Sequence, residues 1–371
     1  MQLKAQCIAI SLCVLTFATL PSKVAAFSNS EIATDDSRVI ASAFQNQNNQ
    51  ASCSGALVEP RVVMLAGHCT ARKLNGLVVT PGIQGQPFSG EIPRELNWVV
   101  YAPGAKVTLE GNQSKAVVIA QFLASEYRDG GNGHGPTCDF AVLLLDKPLS
   151  NKYFKILDDK SLTIFREQQA ETLSLGYGYK SYKDIANAQS GLGRDPNPVM
   201  TKSNLRAKNL SDGSENFEVC EGVTNKNLQV HVKLPPGVFS GSSDSGGPLW
   251  INANNEWIYI GAVSGAVGLG INSGTNENSP QWNDPNVLAN SGVNYVTAQA
   301  FEKTIEKART YLKEIEVLES KVKSEAEAKA KSEAEAQPTS SKKMMITCIK
   351  GKATKKILGL NPKCPKGYKR K

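Results

Sequence analysis

The sequence predicts an all-β fold, a barrel or a sandwich, and three observations support it. Short runs rich in β-branched residues, such as "DFAVLLLD" and "EWIYIGAVSG", recur between residues 27 and 312. Asn, Asp, Gly and Pro separate these runs. The 371 residues, 40% of them hydrophobic, suffice to build a core. Many short strands divided by turn residues are typical of antiparallel β architectures.

The N-terminus has the pattern of an export signal. One lysine precedes a long apolar run in "MQLKAQCIAISLCVLTFATL", and the small residues Val24 and Ala26 follow at the spacing of a signal-peptidase site. A membrane anchor is the alternative interpretation. We expect residues 1–26 to be a signal peptide, and the protein to be secreted or associated with the cell surface.

The C-terminal region changes character twice. After "VNYVTAQAF" the pattern becomes helical, with Phe301, Ile305 and Ala308 on one side. Residues 313–340 repeat "KSEAEA" without an apolar face, which predicts a charged helical spacer rather than a coiled coil. Residues 341–371 form a basic tail with eleven Lys or Arg and no Asp or Glu.

Cysteine usage fits an oxidising compartment. Setting aside Cys7 and Cys13 in the signal region leaves an even number, and six cysteines allow fifteen pairings. The six are Cys53, Cys69, Cys138, Cys220, Cys348 and Cys364. Exported proteins commonly pair such cysteines. We expect the last two to close a loop within the basic tail.

The stretch "SSDSGGPLW" holds a candidate nucleophile, Ser245, between an acid and two glycines. A serine hydroxyl needs a base to take its proton, and that base is usually histidine. The chain has three histidines: His68 after an apolar strand, His134 in "GNGHGP" and His231 within "LQVHVKL". His231 has the pattern of an ordinary strand residue.

A carboxylate is also needed to orient the histidine and to stabilise its charged form. Asp139 opens the apolar run "DFAVLLLD". An acid at the edge of a buried strand is costly unless it is hydrogen-bonded, and an imidazole N–H meets that need.

Three motifs together resemble the trypsin-like (chymotrypsin-fold) serine peptidases: "AGHC" at His68, "DFAVLLL" at Asp139 and "DSGGPL" at Ser245, in that family's order. The resemblance covers roughly residues 35–312. It implies two antiparallel six-stranded β-barrels with a C-terminal helix, and an active site between the barrels. With the other segments, the expected organisation is a signal peptide (1–26), a peptidase domain (27–312), a helical spacer (313–340) and a basic tail (341–371).

The resemblance also implies the roles of individual residues. His68, Asp139 and Ser245 would be catalytic, and the backbone N–H groups of Ser243 and Ser245 would bind the oxyanion. No cofactor and no metal ion is implied. The substrate pocket would include Phe239, Ser264, Gly265 and Ala266. The family's pattern further predicts a Cys53–Cys69 bridge.

Several positions depart from the family. Ser243 stands where the family nearly always has glycine. Phe239 occupies the pocket base, where trypsin-like members carry an acid, so we expect no preference for Lys or Arg in the substrate. Gly241 replaces a cysteine four residues before the nucleophile. Without that bridge, Cys138 and Cys220 are left to pair with each other.

The segment "SRVIASAF" allows two interpretations. Cleavage between Arg38 and Val39 would create the family's new N-terminus, which pairs with the acid before the serine, here Asp244. However, only fourteen residues separate Val39 from Cys53, too few for the family's usual path. We therefore expect "SRVIASAF" to be the first barrel strand, with no activation by cleavage.

The resulting hypothesis is an exported serine endopeptidase acting on proteins or peptides. The alternative is a non-catalytic surface or binding module with the peptidase fold, which the serine at position 243 favours. The basic tail suggests an anionic cell-envelope surface as a partner. It lacks the interleaved aromatic residues that stack on bases, so no nucleic-acid partner is expected.

Overall fold

The computed structural model of the protein describes most strands and the C-terminal region. The described residues are 27–28, 31–32, 38–44, 53–74, 77–79, 86–87, 89–101, 115–128, 138–156, 158, 171–177, 201–206, 211–212, 219–224, 229–233, 239–240, 244–253, 256–267, 292–336 and 343–371. The predicted signal peptide therefore lies outside them.

The first part of the chain forms short strands. In chain order they are β1 (Phe27–Ser28), β2 (Glu31–Ile32), β3 (Val39–Phe44), β4 (Cys53–Glu59), β5 (Val62–Leu65), β6 (Arg72–Leu74), β7 (Leu77–Val79), β8 (Gln86–Pro87), β9 (Gly90–Glu91), β10 (Trp98–Tyr101), β11 (Lys115–Leu123) and β12 (Ala141–Leu145). Short 3₁₀ turns cover Gly67–Cys69 and Arg94–Leu96.

Six of these strands close into an antiparallel barrel. Their order is β10-β3-β4-β5-β12-β11, and β10 also pairs with β11, which completes the circle. Strands β5 and β12 are buried along their whole length, as their uninterrupted apolar sequences require. The prediction that "SRVIASAF" supplies the first barrel strand is confirmed, because β3 pairs with both β4 and β10.

The second part of the chain forms a larger sheet. The strands of this part of the chain are β13 (Lys155–Ile156), β14 (Glu171–Gly176), β15 (Thr201–Arg206), β16 (Ser211–Asp212), β17 (Val219–Cys220), β18 (Val223–Thr224), β19 (Gln229–Lys233), β20 (Phe239–Ser240), β21 (Pro248–Ala253), β22 (Glu256–Val267) and β23 (Gly292–Thr297). Of these, β17 and β18 pair with each other and β20 pairs with β1, outside the larger sheet. The main path runs β16-β19-β23-β22-β21-β14-β15-β2, and β13 pairs with β22 in parallel.

The two sheets differ in closure. Within the described residues the second sheet is an open path, with no pairing between its end strands β16 and β2. Of the two expected six-stranded barrels, the structure therefore has the first, and it has the expected C-terminal helix. The end strands β2 and β16 of the second sheet have two residues each.

One long helix, α1 (Glu302–Ala336), follows a 3₁₀ turn at Ala298–Phe301. Phe301, Ile305 and Ala308, the residues assigned to the apolar side, are all buried. The predicted domain boundary at residue 312 lies inside this helix, which continues without a break through the "KSEAEA" repeats. No helix in the part of the chain that the structure describes is long and apolar enough to cross a bilayer.

The chain divides into two compact units, Met1–Arg309 and Thr310–Lys371. The second unit contains most of α1 and a small antiparallel sheet. The strands of this tail sheet are β24 (Met344–Lys350), β25 (Ala353–Gly359) and β26 (Lys369–Arg370), in the order β25-β24-β26. The basic tail is therefore a folded module.

Three disulfides join the six cysteines that follow the predicted signal. The pairs are Cys53–Cys69, Cys138–Cys220 and Cys348–Cys364. They agree with the pairing expected from the family resemblance for the first, from elimination for the second, and from proximity in sequence for the third. Three disulfides indicate an extracellular or otherwise oxidising environment.

Candidate active site

His68 and Asp139 lie together at one edge of the barrel. His68 is in the 3₁₀ turn after β5, and Asp139 lies two residues before the start of β12, the neighbour of β5. The His68 Nδ1 atom lies 2.8 Å from Asp139 Oδ2, and the His68 backbone N–H donates to Asp139 Oδ1 over 2.8 Å. The two residues are thus joined through both carboxylate oxygens.

The surroundings of Asp139 explain how a carboxylate is buried at this edge. Its side chain is 1% exposed, whereas that of His68 is 27% exposed. Besides the two bonds from His68, Ser264 Oγ donates to Asp139 Oδ2 over 2.6 Å. Three hydrogen bonds compensate for the lost hydration of a carboxylate. The arrangement holds the imidazole by Nδ1.

Ser264 reaches Asp139 because of an irregularity in strand β22. The pairing with β23 shifts register between Val263 and Gly265, so Ser264 is the extra residue of a β-bulge. Bulges redirect side chains and are frequent beside functional sites. Ser264 was expected in the substrate pocket, and its hydroxyl is bonded to the buried carboxylate.

Ser245 is half-buried, in a turn just before β21. Its carbonyl accepts a hydrogen bond of 2.9 Å from the Ser54 backbone N–H. The neighbouring Gly246 donates to the Val263 carbonyl at 2.7 Å, and Gly247 donates to the Asp244 carbonyl at 2.8 Å. The turn is thereby fixed on one side to barrel strand β4 and on the other to strand β22.

Gly246 is required at its position for two reasons. Its φ is +80°, in the left-handed region that favours glycine. A Cβ atom there would lie 2.3 Å from the Ser54 carbonyl oxygen and 3.1 Å from the Ala66 nitrogen. Because both neighbours are backbone atoms, they cannot move aside. The turn that carries Ser245 is therefore pressed against the segment that leads directly to His68.

Ser54 connects the segments of the site, and no local sequence pattern selects it as a site residue. Its backbone N–H holds the Ser245 carbonyl, and its Oγ accepts a 2.8 Å hydrogen bond from the Tyr177 N–H. Its neighbour Cys53 is bonded to Cys69, the residue after His68. One disulfide and one hydrogen bond therefore connect the segments of His68 and Ser245.

Asp244 is fully buried and directly precedes Ser245. A Cβ atom on Gly176 would lie 2.2 Å from Asp244 Oδ1, so the carboxylate packs directly on the glycine backbone. Burial raises the pKa of Tyr295, and the charge of Asp244 raises it further. The cleavage interpretation would pair the Val39 amine with Asp244. In the structure Val39 is a buried strand residue, and the carbonyl of the preceding Arg38 accepts the Leu57 N–H at 2.7 Å.

A disulfide anchors the segment that carries Asp139. Cys138, next to Asp139, is bonded to Cys220. Glu221 follows Cys220 and is buried. Its carboxylate accepts hydrogen bonds from the N–H and the hydroxyl of Thr304, in the first turn of α1. The bridge thus ties the segment of Asp139 to the start of the helix.

Glu126 completes this support. Its Oε2 accepts the Glu221 backbone N–H at 3.2 Å. Partial burial pushes the pKa of Glu126 upward, but the hydrogen bonds from Ser125 and from the Glu221 backbone outweigh it, and the net shift is downward.

The other predicted site residues are described in part or lie outside the described residues. Ser243 and His134 are outside them. Phe239 and Ala266 lie in strands β20 and β22, and Gly265 lies in β22 with open space where a Cβ would stand. The structure thus brings together His68, Asp139 and Ser264, with Ser245 fixed to the strand beside them.

One group of side chains has the composition of a metal site. Cys53, His68 and Cys69 offer donor atoms within 4.8 Å of one another. The two sulfur atoms are bonded to each other, so neither is a thiolate, the form that binds metal ions.

No family model matches this chain.

Proposed function

We propose that the protein is a trypsin-like serine endopeptidase that hydrolyses peptide bonds in proteins or peptides through an acyl-enzyme on Ser245. The observation that carries the proposal is the buried Asp139 carboxylate, which holds His68 through Nδ1 at 2.8 Å. The proposal includes a second barrel, as in this family, which the second sheet would form.

The proposed reaction uses the chain's own residues. Ser245 Oγ attacks the carbonyl carbon of the scissile bond, and its proton passes to His68 Nε2. The carbon–nitrogen bond then breaks, and His68 returns that proton to the leaving amine. Water hydrolyses the acyl-enzyme by the same route and regenerates the Ser245 hydroxyl. Asp139 keeps its charge throughout and stabilises the imidazolium.

The backbone N–H groups of Ser243 and Ser245 are the proposed oxyanion donors. Glycine adopts positive φ more readily than serine does, so Ser243 adds a conformational cost if the donor needs that geometry. This is the feature that favours the second candidate, a non-catalytic binding module. The two candidates predict opposite results for any reagent that reports a reactive serine.

Substrate preference follows from Phe239 in place of the pocket acid. A cationic side chain buried without a carboxylate partner pays several kcal/mol of desolvation. We expect cleavage after uncharged, small or medium apolar residues. A peptide library profile dominated by Arg would contradict this.

The experiment compares hydrolysis of a library-derived peptide by the parent protein, Ser245→Ala and His68→Ala. Each variant should lose activity by about 10⁴-fold or more, because the residues act as one unit. His134→Ala is the matched control and should stay within a few-fold of the parent. Circular dichroism confirms that the variants fold. Unchanged hydrolysis by Ser245→Ala would reject the proposal.

A further inference from the structure

The tail sheet has one covered face and one uncovered face. On the covered face, Ile346 and Cys348 of β24 are buried. The disulfide from Cys348 to Cys364 crosses this face, and the Tyr368 ring centroid lies 5.4 Å from Lys355 Nζ, opposite Cys348. The segment between β25 and β26 thus packs on this side.

The opposite face, here called the open face, combines apolar and cationic side chains. It includes Met345, Thr347, Ile349, Lys356, Leu358 and Lys369, which alternate with the covered residues along the strands. Met345 and Leu358 are directly opposite each other and are 60% and 59% exposed. Lys356 lies opposite Thr347, and Lys369 lies opposite Ile349. An exposed apolar pair thus shares the sheet face with two lysines.

The charge of the whole tail has a single sign. Residues 342–371 contain eleven Lys or Arg and no acid, and all those from Lys343 onward are exposed. A field of this sign attracts anionic surfaces. Basic residues around exposed apolar side chains are typical of peripheral membrane-binding surfaces, where lysines meet lipid headgroups and apolar groups enter the acyl boundary.

We propose that the open face docks on a lipid bilayer that contains anionic headgroups. The apolar pair distinguishes a bilayer from a soluble polyanion. A polyanion would neutralise the lysines and leave Met345 and Leu358 in water, whereas a bilayer also removes their apolar area from water. The inference does not depend on catalysis, because the open face contains none of the residues assigned to the reaction.

The test measures co-sedimentation of the protein with vesicles of phosphatidylcholine alone and with vesicles that also contain about 30% phosphatidylglycerol, the anionic lipid. The protein lacks residues 1–26, whose apolar run would itself bind lipid, and carries Ser245→Ala to prevent self-digestion. Binding should require the anionic lipid and weaken as salt rises. Lys356→Gln with Lys369→Gln should weaken it about 30-fold. The same charge loss on the covered face, Lys355→Gln with Arg370→Gln, should cost clearly less.

The apolar pair is tested separately. Met345→Ser with Leu358→Ser should weaken binding about tenfold or more. Mass spectrometry should show that the Cys348–Cys364 bridge is still formed in this variant. Val317→Ser with Leu318→Ser, which changes equally exposed residues of α1, should leave binding unchanged. Equal binding by the Met345/Leu358 variant and its parent would overturn the proposal. So would binding to dextran sulfate but not to anionic vesicles, which would identify a polyanion as the partner.

Discussion

The first barrel and the tail sheet carry disulfides of the same span and differ in what else stabilises them. Cys53–Cys69 and Cys348–Cys364 both close a separation of 16 residues, with Cα–Cα distances of 6.0 and 5.7 Å. In the chain-entropy account a loop of this size contributes about 3 kcal/mol in either place. The barrel adds whole strands of buried side chains, whereas Ile346 and Cys348 are the buried residues among those described in the tail sheet.

The difference shows that one covalent constraint can have two roles. In the barrel the hydrophobic core determines the fold, so the bridge is available to position residues of the site. It joins β4, whose Ser54 N–H binds the Ser245 carbonyl, to the residue after His68. A sheet as small as the tail cannot bury enough apolar surface to fold alone, so there the bridge is part of the fold itself.

The largest effect is expected at the carboxylate of the barrel. Asp139→Asn should lower kcat/KM by about 10⁴-fold, because the amide favours the wrong imidazole tautomer. Vesicle binding by the tail should be unchanged. Asp146→Asn is the matched control. Asp146 accepts the Val117 N–H at 2.8 Å in the same barrel and should affect stability alone. An Asp139→Asn variant with full peptidase activity would contradict the assigned role.

Two glycines with positive φ provide the next comparison. Gly246→Ala should destabilise the first unit by about 3 kcal/mol or more, since left-handed strain adds to a clash with backbone atoms. Gly351 in the tail also has positive φ, +55°, but has nothing within 4 Å of a Cβ position. Gly351→Ala should therefore cost about 1–2 kcal/mol. Denaturant titration measures both, and equal costs would contradict the packing described at Gly246.

Removing each bridge should separate the two roles. Cys348→Ala with Cys364→Ala should abolish hydrogen-exchange protection of residues 344–350. Cys53→Ala with Cys69→Ala costs about the same 3 kcal/mol but should leave residues 62–65 protected, with a lower Tm and reduced peptidase activity. Protection of the tail amides in the first variant would show that the tail sheet folds without its bridge.

The smallest effect is expected at Glu126, which binds the Glu221 backbone near the Cys138–Cys220 bridge. It is a pH dependence of the free energy of unfolding. The pKa of Glu126 is lower in the folded protein, so its contribution to stability is present above the unfolded-state pKa and is lost as pH falls through the folded value. Glu126→Gln should reduce the free energy of unfolding by less than about 1 kcal/mol at neutral pH, because the group is partly solvated. The parent and the variant should converge in acid, and a constant difference at all pH values would contradict this account.

Local patterns in the sequence predicted the strands, the helix and the residues of the candidate site. Apolar runs marked β5 and β12, and an acid at the edge of such a run singled out Asp139. Long-range contacts could not be predicted in the same way. Ser54 meets Tyr177 across 123 residues, and its own segment, "SCSGALV", has no feature that shows this. The bulge at Ser264 depends on register between strands, which β22 alone does not encode.

We propose that Ser245 is a nucleophile activated by His68. The most direct measurement is labelling with a fluorophosphonate, followed by peptide mapping of the modified residue. The account predicts one label per chain, on Ser245, which is absent in Ser245→Ala and strongly slowed in His68→Ala and Asp139→Asn. A folded parent protein that takes no label, or a label that remains in Ser245→Ala, would contradict it.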